Sequence, residues 1–247
     1  MKQLRIPFNA ARRQGIITHN PAEAVELPGR AKNHNGGEAT RDVFTPKQVE
    51  ALLEAAILRE HGKPVFEAGE EWRGLILFAY FTGARLQDAA NITWNAIDLP
   101  AKLITYRARK TGKLIAMPIH PELENYLLGL AAPDTGKAFV FPKLAVRNTG
   151  GRKGLSMTFS RIMARANVTG DLLHIARKGG QGRTVRALTF HSLRHSFNSA
   201  LANAGVSQEI RQKLTGHTSA EMNTIYTHHE LAPLREAVEK LPAIGIK

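Results

Sequence analysis

At 247 residues with 43% apolar side chains, the chain is long enough to bury an ordinary globular core. Its 34 Lys and Arg against 21 Asp and Glu leave a formal charge of +13, which points to a polyanionic partner, most simply nucleic acid. Zero cysteines exclude disulfides, thiolate zinc sites and a cysteine nucleophile. The longest apolar run, Leu75 to Phe81, is too short to span a bilayer and Met1 to Gly15 lacks a secretion signal, so a soluble cytoplasmic protein with no membrane partner is expected.

Residues 4 to 17 carry apolar positions near helical spacing, and Asn20-Pro21-Ala22-Glu23 reads as a capped turn. The stretch 29–42, with Gly36-Gly37 and scattered charges, has no periodicity and reads as a linker. The expected organisation is therefore a segment 1–28 too small to fold alone, a linker 29–42 and a main domain 43–247.

In Phe44-Thr45-Pro46-Lys47-Gln48-Val49, Thr45 suits an N-cap, Pro46 the first helical position and Gln48 the closing arm of a capping box. The helix that follows presents Val49, Leu52, Leu53, Ala56 and Ile57 on one face. A more buried helix runs through Leu75 to Phe81, Thr82-Gly83 breaks it, and a third begins near Arg85. Residues 103–108 and 114–119 are β-prone and flank Lys110-Thr111-Gly112-Lys113, where the glycine can take the positive φ of a hairpin. This hairpin is the only clear sheet signal. Helical spacing returns at about 121–130, 156–167, 190–204, 207–214 and 231–240, with a short strand candidate at Phe139-Val140-Phe141. The fold class read from these elements is mainly α with a small antiparallel β-sheet, α+β.

Charge is not spread evenly. Residues 143 to 194 hold eleven Lys or Arg against one acid, Asp171. Lys143, Arg147, Arg152, Lys153, Arg177, Lys178, Arg183 and Arg186 are the candidate contacts to a nucleic-acid backbone, with the Gly-rich stretch Arg177 to Arg183 read as a surface loop.

Cutting a phosphodiester requires stabilising charge on the equatorial oxygens, and fixed cations in a dry site do this. Arg85 and Arg194 suit the task, because a guanidinium stays charged and grips phosphate with two parallel bonds. Asp88, three residues after Arg85, either steadies that guanidinium or simply favours the first turn of a helix. His191 and Arg194 are also three apart, near a helix start that Thr189 can cap. His195 completes a spacing used by zinc ligands, but Ser192 stands where a metalloprotease has its Glu, so no metal is assigned. Tyr226 can act as a nucleophile through its phenolic oxygen. The departing hydroxyl then wants a general acid, for which Lys110 at the hairpin tip is the candidate and Lys113 its competitor. His217, after Gly216, can hydrogen-bond the same phosphate.

Thr82-Gly83-Ala84-Arg85, Lys110-Thr111-Gly112-Lys113, His191-Ser192-Leu193-Arg194-His195, Thr215-Gly216-His217 and Tyr226 follow one another in order. Together they resemble the catalytic domain of the tyrosine recombinase or phage integrase family, over about Asp42 to Leu241. The resemblance implies a site-specific DNA recombinase in which Tyr226 attacks a DNA phosphate and leaves a 3′-phosphotyrosyl link, without metal, ATP or any other cofactor. By that resemblance Lys110 is the general acid, His191 the general base or proton shuttle, and Arg85, Arg194 and His217 bind the phosphate, with Asp88 in support. It also implies double-stranded DNA as partner, a homotetramer on paired sites, and residues 1–28 as the remnant or tail of an N-terminal core-binding domain. The rival readings are a DNA-binding protein of the same fold that does not cut, and a type IB topoisomerase-like enzyme.

Overall fold

The computed structural model describes residues 2–23, 42–130, 135–151, 154–170, 172–174, 185–215 and 228–243. The chain divides into two units, Met1–Thr40 and Arg41–Lys247. The first contains α1 (Lys2–Arg13) and the expected turn. Buried Asn20 holds that turn: its Nδ2 donates to Asn9 Oδ1 at 2.7 Å, and its Oδ1 accepts from the Ala22 N–H at 2.9 Å. The proposed linker 29–42 lies outside the described residues except for Asp42.

In the second unit α2 (Pro46–Ala56) starts as its sequence requires. Gln48 N–H donates to Thr45 Oγ1 at 3.3 Å and Thr45 N–H to Gln48 Oε1 at 2.9 Å, so two donors at the helix end are satisfied reciprocally. A two-residue hairpin, β1 (Arg59–Glu60) with β2 (Lys63–Pro64), leads to α3 (Gly69–Thr82), whose Trp72, Leu75, Ile76, Phe78 and Phe81 are sealed from solvent. Gly83 caps α3 at φ +61°, and α4 (Leu86–Ala90) begins with Arg85 as its N-cap.

A 3-10 turn at Trp94–Ala96 feeds β3 (Ile97–Asp98), β4 (Leu103–Arg107) and β5 (Leu114–Pro118), an antiparallel sheet in the order β3-β4-β5. Ile104 pairs with Met117 and Tyr106 with Ile115. Gly112, at φ +68°, makes the turn, and Arg107 Nη1 donates to its carbonyl at 2.7 Å. The third strand carries almost no pattern of its own at two residues, and it forms because Ile97 finds Ile104 as its partner. Phe139-Val140-Phe141, read as a strand, makes only an isolated bridge between Thr93 and Phe139. There Val140 N–H donates to Ile92 O, while Phe141 turns into the core against Phe78.

The remainder is α5 (Pro121–Leu128), α6 (Leu155–Arg165), the short pair β6 (Leu172–His174) and β7 (Val185–Arg186), α7 (Phe190–Asn203), α8 (Gln208–Thr215) and α9 (His228–Glu239). The last helix begins three residues before the periodicity indicated. Phe159 of α6 joins the layers, edge-on to Phe44 at 6.3 Å and to Phe190 at 5.0 Å between ring centroids. The result is a helical body around α3, with the sheet along one side; α9 lies against β5 and α8. Among the described residues no helix is long and apolar enough to cross a membrane.

Candidate active site

Three elements converge where α3 ends: the Gly83 turn, the first half of α7 and the end of α8. Thr189 occupies the N-cap of α7, its N–H donating to Ser192 Oγ at 3.1 Å, and this sets the phase of the helix. With that phase Arg194 faces inward. The residue is 4% exposed; Nη1 donates to Gly83 O at 2.7 Å and Nη2 donates to Thr215 O. One planar fork thus joins α3, α7 and α8. Gly83 makes the approach possible, because a Cβ there would meet Phe197 Cδ1 at 2.8 Å.

Arg85 sits across from it, its side chain 20% exposed, with Nη1 4.0 Å from Asp88 Oδ2. Asp88 does two things at once. Its Oδ2 faces Arg85, and its Oδ1 accepts the Arg109 N–H at 3.0 Å, tying α4 to the hairpin one residue before Lys110. Its carboxyl is only 3% exposed.

Burial pulls the Arg194 guanidinium down to about 10, and the neighbouring positive charge of Arg85 acts in the same direction. Tyr106 and Asp88 act against this. The two arginines therefore lie within each other's field, with one buried carboxylate beside them. An anion placed between them would lower the free energy of the site by relieving like-charge repulsion in poor dielectric.

Tyr106 was not among the residues that sequence reasoning singled out. It is half-buried on β4, and its hydroxyl is pushed well above the ordinary tyrosine range by burial and by Asp88, against the pull of Arg194 and Arg85. It stays protonated beside the cluster. A cavity of about 280 Å³ is lined by Asp88, Asn91, Thr105, Tyr106 and Arg109 among others. The available signal was period two: Tyr106 shares the face of buried Ile104, four residues before Lys110.

His191 lies half-buried one turn before Arg194, its ring perpendicular to that of His195 at 4.9 Å. Lys110 is exposed at the hairpin tip and borders a cleft of about 530 Å³ shared with Gln87, Arg109, Val146, Arg147, Asn148 and Thr149. Lys113 lies on the far side of the same turn, and its carbonyl accepts from Ala108 N–H at 2.8 Å.

Of the basic candidates, Lys143 and Arg186 are exposed, and Arg147 is half-buried with Nη2 3.5 Å from Glu67. Arg152, Lys153, Arg177, Lys178, Arg183, His217 and Tyr226 lie outside the described residues. Thr215, whose carbonyl Arg194 holds, is two residues before His217. Among the described residues no group of three His, Cys, Asp or Glu side chains is placed to hold a metal ion.

This arrangement of a helical body with a small antiparallel sheet along one side is the catalytic-domain fold of the tyrosine integrases. The chain superposes on the integrase from mycobacterium phage Brujita with a TM-score of 0.56, at 21% identity, over 97% of this chain and 69% of that one. A lambda integrase dimer bound to a core site gives 0.53 at 20% identity, over 92% and 73%. The model of the phage integrase family matches residues 42–232, and the chain belongs to that family.

Tyrosine recombinase XerA of Pyrococcus furiosus is 31% identical over 172 residues, 68% of this chain and 54% of that protein. Tyrosine recombinase XerC of Roseiflexus castenholzii is 25% identical over 218 residues, 87% and 62%. The chain thus spans between about half and two thirds of the length of these curated relatives.

Proposed function

We propose that the chain carries the strand-cutting and strand-joining chemistry of a site-specific DNA recombinase. One observation carries the reading: two guanidiniums, that of Arg194 lowered in pKa by burial and further by Arg85, lie beside the single buried carboxylate of Asp88, a cluster short of negative charge. A phosphodiester in its transition state, with extra charge on its equatorial oxygens, supplies what the cluster lacks.

In this mechanism Arg85, Arg194 and His217 hold the non-bridging oxygens. The phenolic oxygen of Tyr226 attacks phosphorus as its proton passes to His191, and the bond to the 5′-oxygen breaks as Lys110 protonates that oxygen. The products are a 3′-phosphotyrosyl link and a free 5′-hydroxyl. No bond energy is lost to water. The 5′-hydroxyl of a second strand can therefore attack the link, return the phenol and complete the exchange.

Asp88 keeps Arg85 and the base of the Lys110 hairpin in register. Lys113, Lys143, Arg147, Arg152, Lys153, Arg177, Lys178, Arg183 and Arg186 are assigned to the duplex backbone, in keeping with the +13 charge. Paired duplexes call for a homotetramer, working among the DNA of the cytoplasm.

The test is a nicked suicide duplex, on which departure of a short 5′-ended fragment traps the link. The wild type is expected to form an adduct that survives SDS, and Tyr226→Phe none. An adduct that persists in the variant refutes the nucleophile; its absence from the wild type on its own site favours a non-cleaving DNA-binding protein.

A further inference from the structure

The cleft beside Lys110 contains a residue whose backbone opposes its side chain. Val146 adopts φ +54°, the left-handed region that a β-branched residue avoids, and its isopropyl group is 78% exposed. Glycine or asparagine would meet the same turn at lower cost.

The surroundings impose the conformation. Leu144 and Ala145, immediately before, are buried in the core, and Ala145 N–H donates to Phe141 O at 2.8 Å. Asn91 Oδ1 accepts the Val146 N–H at 2.9 Å, and Gln87 Nε2 donates to Arg147 O at 2.9 Å. Asn91 Nδ2 in turn donates to Gln87 Oε1 at 3.1 Å. Two amide side chains on and just past α4 thus grip the loop on both sides of the strained residue.

An apolar side chain held outward at a conformational cost, with no burial of its own to offset it, draws attention to a contact made outside the chain. The cleft it borders contains Arg109, Lys110 and Arg147, so the complementary surface is anionic. Duplex DNA answers both demands, because its phosphates meet the cations while its base edges, thymine methyls among them, offer an apolar contact.

We infer that Val146 is a specificity-determining residue that reads a base pair next to the cleavage position. The inference rests on the recombinase reading for its location, because the same cleft holds Lys110. Gln87 and Asn91 are positioning residues that aim it.

The experiment uses the full chain and a pool of nicked duplexes randomised on both sides of the nick. Two fractions are sequenced: DNA retained by the protein without cleavage, and DNA trapped as adduct. The variants are Val146→Gly, which removes the side chain and the strain, and Val146→Asn, which tolerates the backbone but replaces apolar surface with an amide.

The wild type should prefer one or two base pairs beside the nick, and both variants should flatten that preference by about tenfold while total retention at low salt changes little. The melting temperature of Val146→Gly should hold or rise. Three results overturn the inference: preference unchanged in both variants, uniform weakening across all sequences, or a fall in melting temperature that shows the side chain to be structural. A wild type without preference at those positions also overturns it. If retained DNA shows the effect while the wild type forms no adduct, the recombinase reading fails, and Val146 stands as a base-reading residue of a DNA-binding protein without its placement beside a cleavage position.

Discussion

Gly83→Ala offers a direct test of how the site is assembled. The new methyl group meets two penalties. An L-residue at φ +61° costs about 1–2 kcal/mol. Its Cβ would stand 2.8 Å from Phe197 Cδ1 and 3.1 Å from Cγ, and Phe197 is fully buried, so the ring can yield only by displacing core neighbours, at about 1–3 kcal/mol. The reduced freedom of alanine in the unfolded chain returns about 0.4–1 kcal/mol. A net loss of about 1–5 kcal/mol follows, with its middle near 3, a large share of the stability of a domain this size. Urea unfolding monitored by circular dichroism measures it as a lower midpoint at unchanged slope.

A double-mutant cycle separates the two penalties. Phe197→Ala, with its own cavity cost, removes every ring atom that the new methyl meets but not the φ cost, so Gly83→Ala should be less damaging in that background by about 1–2 kcal/mol. Because Gly83 O receives Arg194 Nη1, pushing α7 away should also slow phosphotyrosyl adduct formation under conditions where the variant is still folded. A loss under about 1 kcal/mol, or additivity with Phe197→Ala, would refute the reasoning.

Arg194→Lys replaces a fork that reaches carbonyls on two elements with a single ammonium. It should cost about 2–4 kcal/mol in urea unfolding and slow adduct formation by about a hundredfold or more. Asp88→Asn keeps an acceptor for the Arg109 N–H and loses the charge, whereas Asp88→Ala loses both; stability should fall in that order, by about 1 and about 2–4 kcal/mol. Equal losses would place all of the effect in the charge. His120, stacked on Phe81 at 4.1 Å between ring centroids, has its pKa lowered by burial. The unfolded chain therefore takes up a proton first, and stability is lost as pH falls through the unfolded value near 6.5. His120→Asn, which can still cap α5, should be less stable than wild type at pH 8, with the gap narrowing by pH 5; a constant gap would show that His120 does not contribute to acid sensitivity.

Wherever the cause of an element lies within a few residues, the chain announces it. Thr45 and Gln48 close a capping box three positions apart, Gly83 ends α3, and Gly112 turns the hairpin, because a cap or a positive φ is a local demand that few residue types meet. The spacing of motifs likewise brought Arg85, Asp88, His191 and Arg194 forward together as candidates.

Their partners were a different matter. Arg194 binds carbonyls 111 and 21 residues away, and Asp88 takes an N–H 21 residues on. Phe139 ends in a single bridge instead of a strand, while the two residues of β3 find one. Tyr106 joins the charged cluster although no motif names it, and Val146 is strained by amides on and just past α4, more than 50 residues away in sequence. A sequence states which residues can cap, turn or carry charge, since those properties belong to the residue and its neighbours. Which carbonyl a guanidinium meets, and whether a short apolar run pairs or turns inward, depends on the surfaces that packing leaves within reach, and only the folded chain decides it.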